Sequence, residues 1–349
     1  MKKLRYTLLT AVAALLFTSC DKVSPTGILI AETAVEDRVK MSYEYYFKYK
    51  DEVKSLVADQ QEEYTFLVGA DSHLTTDEGR LREMLQNALD HDDLLITHLG
   101  DIADTKAEYY IRLEEILTDY KRMYAEKKYK TVFVGDEDDD YQVLSDDYYI
   151  YIDTITNKPY TLNDVKYPFY PVVGNHDITR SGWALWSSIF HTSFYSIYVT
   201  VNTDPMTVDK FIFLDTANGT LGREQVSLIE QGVLDAKKQE EVGLYVRNTF
   251  VFSHTNIFHV SSMELASSFA REETYFLLNQ FKEWKVNIAF FGHVHEWDER
   301  RNGKTEYLTL ETMCEVNNPS PGDYLVRVHV RKDGTIRWER VRMNYTPSE

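Results

Sequence analysis

The sequence predicts an α/β fold with a largely parallel sheet, and two observations carry that prediction. Short apolar runs that end in Gly, Asp, Asn or His recur along the chain, and helical periodicity usually follows them. Alternation of this kind brings each new strand back in the same direction, which makes the sheet parallel. The composition permits such a core. Of 349 residues, 43% are hydrophobic and 27% charged, enough apolar material for one large domain or two small ones.

The runs read as buried strands are Tyr64–Ala70, Leu94–Leu99, Phe169–Val173, Thr249–Ser253 and Val286–Phe291. The helical stretches between and around them are Asp77–His91, Lys106–Lys128, Arg223–Glu240 and Met263–Trp284. A charged, Tyr-rich helical segment around Ala34–Val57 precedes the first run. Two regions break the rhythm. Phe194–Val201 and Lys210–Asp215 read as strands joined by a turn at Asn202–Pro205. Near the end, Tyr307–Glu311, Tyr324–Arg331 and Ile336–Arg342 read as strands, the last two joined by an Asp333-Gly334 hairpin turn. These pieces are expected to form a second, more antiparallel sheet. Residues 135–168 form an acidic, Tyr-rich insertion.

The first twenty residues stand apart from this core. Lys2, Lys3 and Arg5 make a positive start, and Leu8 to Phe17 is an apolar stretch too short to span a bilayer. Thr18, Ser19 and Cys20 follow, an order that resembles a bacterial lipoprotein signal with Phe17 where Leu is usual. The expectation is a leader over residues 1–19, acylation of Cys20 and an exported, membrane-anchored chain at the periplasmic or outer surface. An ordinary cleaved signal peptide is the plainer reading. The mature chain then divides into a tether and helix (residues 20–60) and one catalytic domain (residues 61–345).

Losing Lys2, Lys3 and Arg5 makes the chain three charges more negative than its formal −18. A surface that acidic repels nucleic acid backbones, so no nucleic-acid partner is expected. Cys20 and Cys314 are the two cysteines. With Cys20 acylated, no disulfide framework exists, and Cys314 reads as a small buried apolar residue.

The strand ends hold the chemistry. They carry Asp71-Ser72-His73, then Gly100-Asp101-Ile102-Ala103-Asp104, then Gly174-Asn175-His176-Asp177, then Ser253-His254, and finally Gly292-His293-Val294-His295. Ligands of open α/β sheets sit beyond the carboxyl ends of the strands, where such loops converge. Oxygen donors mixed with imidazoles suit Zn, Mn or Fe, whereas thiolate sites need more Cys. Asp71 and His73 lie two apart, as do His293 and His295, so in extended backbone each pair projects from one face. With Asp101, Asn175 and His254 they make seven ligands. That is too many for one tetrahedral ion and right for two ions sharing a carboxylate.

The order Asp-x-His, Gly-Asp-x-x-Asp, Gly-Asn-His-Asp, His, Gly-His-x-His resembles the calcineurin-like metallophosphoesterase superfamily over roughly residues 62–300. The resemblance implies a four-layer α/β/β/α sandwich with two packed mixed sheets. It implies that Asp71, His73 and His295 bind a first divalent ion, that Asn175, His254 and His293 bind a second, and that Asp101 bridges them. Two such ions activate a bridging hydroxide that attacks phosphorus in line with the leaving oxygen. His176 then faces the leaving group and Asp104 orients it. Asp177 reads as a helix N-cap or loop-structuring residue, and Gly100, Gly174 and Gly292 as sites of tight turns.

Two departures narrow the class. Serine/threonine phosphatases of the superfamily carry Arg after the second Asp of Gly-Asp-x-x-Asp, where this chain has Thr105. Purple acid phosphatases carry Tyr where Asp104 stands. The remaining resemblance favours hydrolysis of a small-molecule phosphodiester over a monoester. The rival is a non-catalytic metal-binding scaffold for protein interaction, which the intact ligands, His176 and Asp104 disfavour.

The other histidines take plainer readings: His98 as a satisfied core residue, His91 and His329 as surface residues, His191 and His259 as possible pocket lining. The acidic run Asp136–Asp140 lacks the Gly and Glu of an EF-hand loop, since Tyr141 and Asp147 fall at those places.

Overall fold

The computed structural model describes residues 34–48, 56–59, 61–75, 77–104, 106–133, 149–234, 243–258, 269, 271–314 and 324–345. The leader, the acylation site, Thr105, His259 and the run Asp136–Asp140 lie outside these residues.

The described helices are α1 (Val35–Lys48), α2 (Gly79–Asp90), α3 (Ala107–Lys128), α4 (Asn175–Ile178), α5 (Gly182–Phe190), α6 (Gly222–Glu230) and α7 (Arg271–Glu283). The strands of the first half are β1 (Leu56–Val57), β2 (Glu63–Gly69), β3 (Leu95–His98), β4 (Lys130–Phe133), β5 (Tyr149–Ile152), β6 (Pro159–Tyr160) and β7 (Phe169–Pro171). Those of the second half are β8 (Tyr195–Thr203), β9 (Met206–Leu214), β10 (Tyr245–Ser253), β11 (Ile288–Phe291), β12 (Asp298–Asn302), β13 (Thr305–Thr309), β14 (Tyr324–Arg331) and β15 (Ile336–Arg342).

They form a seven-stranded sheet, β1-β8-β9-β10-β11-β13-β12, a five-stranded sheet, β15-β14-β2-β3-β7, and a small sheet, β4-β5-β6. Neighbours run parallel from β9 through β10 and β11 to β13, and from β2 through β3 to β7. This agrees with the two mixed sheets the family resemblance implies and corrects the periodicity reading of one largely parallel and one more antiparallel sheet. The five motif-bearing strands are shared out, β2, β3 and β7 to one sheet and β10 and β11 to the other. The strands expected to form a separate sheet join these instead: β9 and β13 flank β10 and β11 in parallel, β8 pairs antiparallel with β9, and β14 with β15 extends the smaller sheet, while β12, which the sequence reading did not include, pairs antiparallel with β13. Periodicity identifies a strand but carries no record of its partner.

The alternation of side chains explains the layering. Along β2, Phe66 and Val68 enter a central core while Leu67 points to an outer one. Along β9, Phe211 and Phe213 enter the same central core while Ile212 and Leu214 face a third. A strand with apolar residues on both faces must be covered on both. The two larger sheets therefore pack face to face, with α2, α3 and α5 outside one and α1, α6 and α7 outside the other. This is the four-layer sandwich. At its centre Phe66 meets Phe211, Phe250, Phe252 and Phe290 edge-on, with ring centroids 5.0–6.2 Å apart, the geometry that the ring quadrupole favours.

Several local readings change. His329 is buried, pairing with Glu63 at 2.9 Å and Glu339 at 3.2 Å, because β14 is an interior strand. His98 is buried as expected, but neither ring nitrogen has a hydrogen-bond partner, and burial pushes its pKa down to about 3. Cys314 is partly exposed rather than buried. His91 is exposed, as read. His191 lies exposed at the end of α5 and stacks on Tyr45 at 5.2 Å. Among the described residues no helix is long and apolar enough to cross a membrane.

Candidate metal centre

Parallel strands put their carboxyl ends on one edge, and packing two such sheets face to face brings two edges together. Asp71 and Asp101 follow β2 and β3, and Asn175 follows β7; His254 and His293 follow β10 and β11 across the interface. The loops are then stitched to one another. Asp71 and His73 donate backbone N–H bonds to the carbonyls of Gly100 and Asp101, at 3.1 and 2.9 Å. The Asp71 carboxylate accepts the His293 N–H at 3.0 Å and so ties the two sheets together. Asp177 accepts from the backbone N–H groups of Gly174, Asp101 and Ile102 at 2.8, 2.8 and 3.1 Å, the loop-structuring role its sequence position suggested.

These loops are not extended. Asp71, His73, Asp101, His293 and His295 have φ of 53°, 42°, 51°, 69° and 61°, left-handed values that L-residues with a Cβ adopt at a cost of roughly 1–3 kcal/mol each. The paired side chains of Asp71 with His73 and of His293 with His295 therefore converge through tight turns, not through strand alternation. Gly100 (φ 95°) crosses Gly174 so closely that a Cβ on it would lie 2.7 Å from Gly174 N and from His254 Nδ1. No residue larger than glycine fits there.

All nine residues singled out from the sequence meet. Three overlapping groups bring their donor atoms within 4.8 Å of one another: Asp71, His73 and His295; His73, Asp101 and His176; and Asp101, His254 and His293. Asn175 joins the third group, with Oδ1 2.8 Å from His254 Nε2.

Hydrogen bonding tests whether these donors fit a metal. His254 Nδ1 donates to the buried carbonyl of Leu99 at 2.7 Å, which leaves the Nε2 lone pair of the neutral ring facing inward. That nitrogen meets Asn175 Oδ1 at 2.8 Å, His293 Nδ1 at 3.2 Å and Asp101 Oδ2 at 3.5 Å. His73 Nδ1 is engaged by Asp104 Oδ1 at 3.2 Å, and its Nε2 meets His295 Nε2 at 3.2 Å and Asp101 Oδ2 at 3.7 Å. In both clusters acceptors face acceptors. Such an arrangement calls for a cation, and imidazole with carboxylate and amide oxygens suits a divalent one.

The charge balance agrees. Burial opposes protonation of His73, but Asp104, Asp101 and Asp71 together lift it to about 9. Burial likewise raises the Asp71 carboxyl, yet His295, His254 and His73 hold it well below the ordinary carboxylate range. Without a cation, the carboxylates hold protons on nearby rings. His293, pushed down to about 4 by burial and by His254, stays in the neutral form that ligates.

The His176 and Asp104 side chains are 48% and 40% exposed and that of His295 37%, against 0% for Asp71 and His254, so these three form the open side of the cluster. Asp104 Oδ1 lies 3.2 Å from the Nδ1 of His176 and also 3.2 Å from that of His73. Asp104 was expected to orient His176 alone; one oxygen serves both rings. The His176 bond holds Asp104 well below the ordinary carboxylate range, and that bond raises His176 in turn. Sequence reasoning also missed the Leu99 carbonyl and Thr312, whose hydroxyl donates to the Asp71 carbonyl at 2.7 Å. A backbone acceptor has no residue signature, and Thr312 belongs to no motif.

A family model described as Calcineurin-like phosphoesterase matches residues 64–297. The chain belongs to that family, whose general chemistry is metal-dependent hydrolysis of phosphate esters. Similar solved structures include GAP50, the anchor in the inner membrane complex of Plasmodium (14% identity, 82% of this chain and 90% of that one, TM-score 0.45). Another is a dimetal phosphatase from Danio rerio (13% identity, 80% and 99%, TM-score 0.42). No curated protein matches the chain.

Proposed function

We propose that the protein hydrolyses small-molecule phosphate esters with two divalent ions (Mn, Fe or Zn), acting on diesters in preference to monoesters. The observation that carries this reading is the pair of facing lone-pair clusters that share Asp101 Oδ2, 3.7 Å from one histidine and 3.5 Å from the other. Asp71, His73 and His295 would hold one ion and Asn175, His254 and His293 the other, with Asp101 between them. When bound there, such ions would supply a shared water of lowered pKa and a clamp for a phosphoryl group.

The chain's own residues supply the rest. The carbonyl of Leu99 fixes the tautomer of His254, and Asp104 that of His73. His176, whose protonated form Asp104 favours through Nδ1, would protonate the departing oxygen. A formal charge of −18 disfavours polyanionic nucleic acids. Thr105, standing where an arginine would bind a second phosphate charge, supports the diester preference.

The test is hydrolysis of bis-p-nitrophenyl phosphate and p-nitrophenyl phosphate by metal-stripped protein, with and without added Mn²⁺. Chelator-sensitive turnover, faster on the diester, is expected. Faster turnover of the monoester removes the diester preference, and no metal-dependent turnover of either favours the scaffold reading. The same reading has the chain exported and anchored through Cys20, supported by Lys2, Lys3, Arg5 and the apolar Leu8–Phe17. Cys20→Ser is expected to move the full-length protein from the membrane to the soluble fraction on cell lysis; unchanged pelleting contradicts the anchor.

A further inference from the structure

We propose that α1, which precedes residues 64–297 of the family match, is a working part of the metal centre, and that Arg38 is a positioning residue for His254. The proposal rests on reading His254 as a metal ligand.

Arg38 is fully buried, unusual for a guanidinium unless it is paired. Its Nε and Nη2 fork onto the Asp215 carboxylate at 2.9 and 2.8 Å, and Nη2 also donates to Asn218 Oδ1 at 2.6 Å. The guanidinium carbon lies 5.8 Å from the Trp183 ring of α5. One side chain thus joins α1 to the loop after β9 and to the helix that follows the Asn175-His176 turn.

The β9 loop in turn grips the residues on either side of His254. Thr216, next to Asp215, shares a hydrogen bond with Ser253 Oγ at 2.9 Å. Its Oγ1 accepts the Thr255 N–H at 3.0 Å, and its carbonyl accepts the Thr255 hydroxyl at 2.7 Å. All of these groups are buried. His254 therefore sits between two clamped neighbours, with its ring held by the Leu99 carbonyl. The chain of contacts runs from Arg38 through Asp215 and Thr216 to Ser253 and Thr255.

Val35 and Val39 fill the outer core beside α6, Glu36 accepts the Arg223 N–H at 3.4 Å, and Ser42 accepts the Ser193 N–H at 2.8 Å. These contacts dock the helix, and the Arg38 fork carries it to the loop after β9. Loss of a direct outer support typically weakens metal binding about 10–100-fold, and the intervening Asp215, Thr216 and Ser253 or Thr255 place the expected effect at the lower end.

The experiment is calorimetric titration of metal-stripped full-length protein with Mn²⁺, alongside the melting temperature of the metal-free form. Arg38→Lys keeps the charge and loses the fork. Asn218→Ala removes one partner of Arg38 and is the milder variant to read if Arg38→Lys fails to fold. The control is Arg327→Lys, which weakens an equivalent buried pair with Asp93 (2.9 Å) in the other sheet. Arg38→Lys is expected to weaken Mn²⁺ binding about tenfold and Asn218→Ala about two- to threefold, with Arg327→Lys lowering the melting temperature and leaving affinity intact. Parental affinity in both Asn218→Ala and any folded Arg38→Lys overturns the proposal, as does an equal loss in Arg327→Lys. His254→Ala separates the two ideas. If it binds Mn²⁺ like the parent, His254 is no ligand and the underlying reading fails; if it alone loses binding, only the role of Arg38 falls.

Discussion

A neutral imidazole offers one lone pair, and the partner of its other nitrogen decides which. Leu99 makes that decision for His254 and Asp104 for His73, with a carbonyl in one case and a carboxylate in the other. The second choice couples two functions, because the same Asp104 oxygen also meets His176. The sign of the pH dependence follows. Asp104 raises the His176 pKa above its ordinary 6.5, so the proton-donating form persists to higher pH than in an ordinary histidine and is lost as pH rises past the raised value. Turnover is expected to fall on that alkaline side. Asp104→Asn should move the fall to lower pH, and His176→Ala should remove it while lowering kcat on the order of 10²–10⁴-fold with metal retained. A pH–rate profile of both variants checks this; an alkaline limb that stays in place in His176→Ala removes His176 from proton transfer.

At the scale of elements, the site is a set of strand ends crossed by loops with little tolerance. A Cβ on Gly174 would fall on the Asp101 backbone N and carboxylate, against the residue that both clusters share. Gly174→Ala is expected to fold with reduced stability and to lose most metal binding, because Asp101 must move; unchanged Mn²⁺ affinity with a normal melting temperature contradicts that. The motifs made these loops legible in the sequence: each Gly, Asp or His stands directly after an apolar run, and all nine predicted residues come together. Less could be read of how they come together. The spacing of Asp71 with His73 suggested extended backbone, yet both are left-handed, since a short spacing is compatible with either. Asp104 was assigned to one ring because the sequence gives order along the chain, not the direction of a carboxylate. Helix limits moved by a few residues for similar reasons: periodicity carries past Asp77 and Lys106, whereas α2 and α3 begin at Gly79 and Ala107.

At the scale of the whole molecule, two mixed sheets stacked face to face supply what one sheet cannot: donors arriving from opposite sides of a cleft. Asp71, Asp101 and Asn175 come from one sheet and His254, His293 and His295 from the other, joined by the Asp71 bond to the His293 N–H. The alternating strand-helix pattern foretold the α/β class but not the division into two sheets, because pairing is set by contacts between residues far apart in sequence, such as Val326 with Val68. Cations bound in the cleft would offset part of the cost of the strained loops and converging carboxylates. Anomalous diffraction from crystals grown with Mn²⁺ tests this most directly. Two peaks are predicted, one among Asp71, His73 and His295 and one among Asn175, His254 and His293, with Asp101 reaching both. Crystals of active protein with no peak in the cleft, or with a single peak that leaves either cluster unused, would contradict it.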